Sequence, residues 1–266
     1  MKLFVSADIE GVAGMIHWDE ADPSKSDYRW FQERMNEEVL AACEGALAAG
    51  CTEVLVKDAH AGGRNLVPSR FPETVSIHRG WSGHPLAMME GVDGGFDAAV
   101  FIGYHARGGS LGNPLAHTMS SSKFTEMRLN GEPLSEFRIN ALSAARAGVP
   151  VVAVSGDEAL CDEIRAWNPA IELVVSKTGL GASAYCRHPE TVRREIRDAV
   201  ERGLRDNPQR CLKALPPSFR FEMEFKDPSL AFRKSFYPGA RLERERIVVI
   251  ETKDWFDVIR AMGFMG

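Results

Sequence analysis

The sequence predicts an α/β fold: a mostly parallel sheet flanked by helices, with a smaller C-terminal α+β unit. Three observations predict it. Short apolar runs alternate with helical patterns from the N-terminus as far as "VPVVAVSGD". The run in "FDAAVFIGYH" is apolar throughout, as a strand buried on both faces of a parallel sheet must be. After Pro216-Pro217 the pattern changes to "SFRFEMEF", in which apolar and polar residues alternate.

The elements follow in order. "KLFVSAD" is a strand that ends at a carboxylate. The helix expected from Tyr28 to Ala49 carries Phe31, Met35, Val39, Ala42 and Ala46 at spacings of three and four, and Gly50 stands where a C-terminal cap belongs. "TEVLVKDAH" is the second strand and "ETVSIHRG" a weaker third. Asn130-Gly131, between "TEMRL" and "PLSEF", is a hairpin-turn signal. A helix over Glu136–Arg146 leads into "VPVVAVSGD". "IELVVSKTG" and "RERIVVIET" read as further strands, and the last helix shows Trp255, Val258, Ile259 and Met262 on one face. This order suggests a catalytic α/β domain over residues 1–175 and a smaller α+β domain over 176–266 that contributes to the pocket and to oligomer contacts.

Composition narrows the function. A chain of 266 residues with 44% apolar and 26% charged residues is ordinary for a globular protein. Its net charge of -5 argues against a nucleic-acid partner, and "RLERER" alternates in sign like a solvated surface. Five scattered cysteines with no C-x-x-C suit a reducing compartment. There is no secretory-leader pattern and no apolar run of the ~20 residues that span a bilayer. A cytoplasmic protein with no membrane partner is the expectation.

The strand ends carry the chemistry. They deliver Asp8 with Glu10, Asp58 with His60, His105, and Asp157. Ligands of open α/β sheets bind outside the carboxyl ends of the strands. A doubly wound order with the third strand at the edge brings Asp8, His60 and His105 together and leaves His78 outside. Such donors suit zinc or, with more oxygen, manganese. Asp8 is best placed to bridge two ions roughly 3.5–4 Å apart that share a hydroxide.

Plainer readings stand beside these. Asp8 and Glu10 also fit a cap and a loop residue, His60 a turn residue in "DAHAGG", and His117 a solvated loop histidine. Glu136 opens a helix, where the dipole favours a carboxylate anyway. Asp58 reads either as a partner orienting His60 or as a cap, Asp157 as a cap, and Asn140 as a pocket or a surface residue. "KTGLGAS" lacks a phosphate-loop pattern and reads as a flexible loop at the substrate entrance.

"SADIEGVAG", "VKDAH", "GYHA", "AHTM" and "SEFRINA", in this order, resemble the D-aminopeptidases of the bacterial dipeptide-transport operon, a family of binuclear zinc peptidases. The likeness covers nearly the whole chain and is strongest from Met1 to Asp157. It implies two Zn2+ per subunit, with metal ligands Asp8, Glu10, His60, His105 and Glu136 and with Asp8 bridging. It implies a catalytic His117, acting as nucleophile, proton shuttle or oxyanion stabiliser. It further implies cytoplasmic hydrolysis of short peptides with a D-configured N-terminal residue, D-alanine above all, and a ring-like homo-oligomer, a decamer. The reaction expected is attack by a two-metal-activated hydroxide assisted by His117. The rivals are a binuclear hydrolase of another amide or ester bond and a non-enzymatic α/β ligand-binding protein.

Overall fold

In the computed structural model, which describes residues 1–266, β1 (Lys2–Ala7) is buried from Leu3 onward and runs through the middle of the larger sheet. A short helix α1 (Trp18–Ala21) precedes α2 (Tyr28–Ala48), whose apolar face Met35, Val39, Ala42 and Ala46 is buried. Gly50 follows with φ +89°, the left-handed conformation that ends helices and disfavours a Cβ. β2 (Glu53–Asp58) and β3 (Val75–His78) come next, then the fully buried β4 (Ala98–Tyr104). β5 (Phe124–Leu129) and β6 (Glu132–Pro133) form a hairpin, followed by α3 (Glu136–Arg146), β7 (Val151–Asp157) and α4 (Glu158–Trp167). The remaining elements are β8 (Glu172–Leu180), β9 (Ser183–Cys186), α5 (Pro189–Arg205), β10 (Phe219–Phe225), α6 (Pro228–Lys234), β11 (Ala240–Arg244), β12 (Ile247–Thr252) and α7 (Trp255–Met265).

The larger sheet has the order β3-β2-β1-β4-β7-β8-β9 and is parallel except for β9, which returns antiparallel on β8. As expected, β1 lies between β2 and β4, and β3 is at the edge. Asn130 and Gly131 take φ of 52° and 86°, the left-handed pair that a two-residue hairpin demands. The second sheet, β11-β12-β10-β5-β6, is antiparallel throughout. In β10, Phe219, Phe221, Met223 and Phe225 are buried while Arg220, Glu222 and Glu224 are not.

The division expected at residues 175 and 176 falls inside β8, which pairs with β7. Two features account for the difference. β9 and α5 stay with the parallel layer, because α5 buries Val192, Ile196, Val200 and Leu204 and packs against α2. At their contact a Cβ on Gly45 would overlap the Arg197 carbonyl. The β5–β6 hairpin meanwhile leaves the first layer to join the second sheet. One apolar core then runs from Leu3 to Met265 through both sheets.

"KTGLGAS" is not a loop: it continues β8 into the β8–β9 hairpin, and Lys177 is fully buried.

Candidate metal centre

β1, β2 and β4 end side by side, so their last polar side chains share one rim. Gly103 at the end of β4 has φ +72° and sits where a Cβ would overlap the Asp8 carbonyl. A Cβ on Gly11 would overlap the Tyr104 carbonyl. These two glycines let the Asp8–Gly11 turn close over β4.

Two donor clusters result: Asp8, Glu10 and His60 in one, and His105, His117 and Glu136 in the other, each with its donor atoms within 4.8 Å of one another. His60 Nδ1 is 3.3 Å from Asp8 Oδ1 and 3.1 Å from Glu10 Oε2. His105 Nε2 is 3.7 Å from both Asp8 Oδ2 and Glu136 Oε2. The two oxygens of Asp8 thus face the two clusters.

Backbone carbonyls set the imidazoles. A carbonyl only accepts, so His60 Nε2–H donates to Ala21 O at 2.8 Å and leaves Nδ1 for the cluster. His105 Nδ1–H donates to Ala106 O at 2.9 Å and leaves Nε2 inward. His117 Nδ1–H donates to Leu115 O at 2.9 Å, and its Nε2 lies 3.6 Å from Glu136 Oε1. Glu136 Oε1 also accepts from the Met119 amide at 2.7 Å.

The donor set fits divalent cations. Ligands ~2.0–2.1 Å from a tetrahedral zinc stand roughly 3.3 Å apart, close to the separations found here. Glu10 Oε2 and His105 Nε2 are buried without a hydrogen-bond partner, although buried polar atoms are nearly always satisfied. Glu10 Oε2 is near His60 Nδ1 but not aligned with it as a hydrogen bond. The electrostatics call for positive charge as well. Burial and then repulsion by Glu10 drive the Asp8 carboxyl well above its usual range. Burial works to raise Glu10 too, but the His60, His117 and His105 rings outweigh it and hold that carboxyl well below. Burial opposes charge on His105, yet Glu136, Glu10 and Asp8 bring it up to about 9. His60 likewise rises well above its usual value, with Glu10 and Asp8 outweighing burial.

A cleft of about 300 Å³ opens onto these groups, lined by Asp8, Glu10, His60, His117 and Glu136 with Trp81, Met88 and Met119 as apolar walls. No lysine or arginine lines it. Ala61 and Met119, both on its wall, have φ of 46° and 65°. Left-handed non-glycine residues cost of order 1–3 kcal/mol each and cluster at functional sites.

The remaining sequence candidates have other partners. Asp58 does not touch the His60 ring; its oxygens accept from the Asn65 and Leu66 amides and shape the loop that carries His60. Asp157 caps α4 at Leu160 and receives the Ala106 amide. Asn140 donates to Tyr104 OH at 2.9 Å, beneath the centre. His78 is outside, 3.7 Å from Glu90.

The family model described as D-aminopeptidase matches residues 1–264. The chain belongs to the D-aminopeptidase family. A relative from Bacillus subtilis (strain 168), named D-aminopeptidase, is 30% identical over 272 residues, covering 100% of this chain and 96% of its own. A solved structure, the Zn-dependent D-aminopeptidase DppA from Bacillus subtilis, described as a self-compartmentalizing protease, superposes with a TM-score of 0.93. It is 28% identical, with 100% of this chain and 96% of that one covered.

Sequence reasoning missed three contributors to this D-aminopeptidase-family site. The α1 segment supplies the Ala21 carbonyl to His60 and sets the Trp18 ring against His117, centroids 5.3 Å apart at 65°. A tryptophan beside a short helix gives no signal of that contact. Trp81 forms a cleft wall from a loop without periodicity, its Nε1–H donating to Ala61 O at 2.7 Å. Lys177, whose ammonium donates to the Glu10 and Met15 carbonyls behind the cluster, is concealed by its glycine-rich neighbours.

Proposed function

We propose that this chain is a zinc-dependent aminopeptidase that cleaves short peptides after a D-configured N-terminal residue. The observation that carries the reading is Asp8 reaching one donor cluster with each carboxylate oxygen. In this reading Asp8, Glu10 and His60 would hold one zinc ion, and Asp8, His105 and Glu136 would hold the second. When bound, such a pair polarises the scissile carbonyl and provides a water acidic enough to attack near neutral pH.

The chain's own groups do the rest. The cleft lining holds no lysine or arginine, so the protein places no guanidinium or ammonium beside the centre to clamp a phosphate group, which favours a peptide over a phosphate ester. Trp81, Met88 and Met119 give the cleft apolar walls beside the reacting bond. His117 is held by Leu115 O with Nε2 toward the cleft, where it takes a proton during attack and returns it to the leaving amine, or donates to the oxyanion. His105 is fully buried, whereas His117 lines the cleft, which supports His117 as the group that meets substrate.

The D preference rests on the family and on the names of its members. A ring-like homo-oligomer, a decamer, is part of this reading; a neighbour described as a self-compartmentalizing protease supports an oligomer, and exposed Phe232, Phe236 and Phe264 offer surface for its contacts. A cytoplasmic location agrees with five free cysteines, and no helix is long and apolar enough to cross a membrane.

Paired dipeptides that differ only in D or L configuration at the N-terminal residue test the reading. Amino-acid release from the D member should vanish on chelation and return with zinc. Release that is indifferent to chelator, or equal for the L member, would overturn it.

A further inference from the structure

The stretch Glu10–Met15 turns its carbonyls inward, and a buried ammonium receives them. Lys177 is fully buried in β8, and its Nζ donates to Glu10 O at 2.5 Å, Met15 O at 2.6 Å and Val12 O at 3.4 Å. The preceding residue joins in: Ser176 Oγ donates to Gly11 O at 2.5 Å and to Gly156 O at 3.0 Å. From the other direction, Asn113 Nδ2 donates to Glu10 O at 3.2 Å. Lys177 makes no ion pair with a carboxylate, so its three donors are spent on one turn of backbone. A fully buried charge persists only where its donors are satisfied, and a lysine offers three.

Glu10 needs such an anchor. Its carboxylate belongs to the Asp8, Glu10 and His60 cluster, yet the residue lies beyond the end of β1, flanked by a single bond to the next strand, Gly11 N–H to Gly103 O at 2.8 Å. We propose that Lys177 is the positioning residue for Glu10: by gathering the carbonyls of Glu10, Val12 and Met15 it fixes the turn that delivers the Glu10 carboxylate, and so sets the affinity of that cluster for its cation. The other cluster takes His105 from just past β4, His117 from the loop that follows and Glu136 from the start of α3, none of which lies on this turn. The inference rests on the two-zinc reading and adds to it a residue from the part of the chain where the sequence motifs are weakest.

Zinc content and chelator competition on the apo-protein reloaded with zinc test it. Lys57 supplies the control: it is also a fully buried lysine, but its Nζ reaches Gly80 O and the Trp81 ring rather than the Glu10 turn. Wild type should bind two zinc ions. Lys177→Met should keep one at wild-type affinity and bind the second at least tenfold more weakly, while Lys57→Met keeps both. Two tight ions in Lys177→Met, or equal losses in both variants, would overturn the assignment. If Lys177→Met does not fold, Ser176→Ala carries the test: releasing Gly11 O should weaken the same ion severalfold, and an unchanged second ion would overturn the assignment. Fewer than two ions on wild type would instead sink the two-zinc reading, which separates the two failures.

Discussion

The His105 and His117 imidazoles lie face to face, their centroids 4.4 Å apart and their planes within 11°. One ring is sealed in the protein and the other forms the wall of the cleft. Stacking fixes the His117 plane, and the Leu115 carbonyl fixes its rotation, so Nε2 has one direction left to it. In the proposed reading that arrangement assigns the cation to His105 and the proton to His117.

His117→Ala should therefore leave zinc content near wild type while lowering turnover by about 100- to 10,000-fold, the usual range for a lost general acid–base group. Metal analysis beside steady-state kinetics checks it. Loss of zinc in step with activity would make His117 a ligand instead, a role its place in the second donor cluster makes concrete.

Asp8→Asn tests the bridge. Only Asp8 faces both clusters, so its loss should strip more zinc than Glu10→Gln, which touches one cluster. The expected contents are well under two ions for Asp8→Asn and about one for Glu10→Gln, with activity lost in both. Equal contents in the two variants would remove the bridging role.

Much of this centre was legible because strand ends are legible. Asp8, His60 and His105 each follow an apolar run, and the order β3-β2-β1-β4 brings those runs together. Glu136 was harder to read, since a helix start favours a carboxylate whether or not a metal is near; it meets His105 only because the β5–β6 hairpin leaves and α3 returns. The division expected at residues 175 and 176 departs from the sheet layers for a related reason. β8 and α5 lie beyond "VPVVAVSGD", where the regular alternation stops, yet their apolar faces belong to the first layer, and pairing partners far apart in sequence leave no local trace. Lys177 shows the limit most sharply: a lysine among glycines reads as solvent-exposed until the carbonyls it satisfies are seen.

Trp18 should act on catalysis without touching the metals. Its edge contact with His117 is of a kind worth roughly 0.5–1.5 kcal/mol, so Trp18→Ala should lower kcat about 2- to 10-fold. Zinc content should stay at wild type, and Trp18→Phe should recover most of the loss. A change in KM alone would place Trp18 in substrate binding instead.

Glu38 carries a pH dependence that the metal centre does not supply. It is buried on α2, accepts from the Ala13 amide at 2.8 Å, and has its second oxygen unpartnered. Burial pushes its carboxyl from 4.5 up to about 7. Below pH 4.5 the folded and unfolded chains both hold this proton, so the group contributes nothing. As pH rises from 4.5 to 7 the unfolded chain has released the proton while the native chain still binds it, and stability falls. At about 1.4 kcal/mol per pKa unit the loss approaches roughly 3 kcal/mol above pH 7. Glu38→Gln keeps the acceptor for Ala13 and cannot ionise. Its stability relative to wild type, from urea melts, should therefore grow by up to about 3 kcal/mol between pH 5 and pH 8. A difference that stays flat across that window would mean that Glu38 ionises in the folded protein as it does in the unfolded chain.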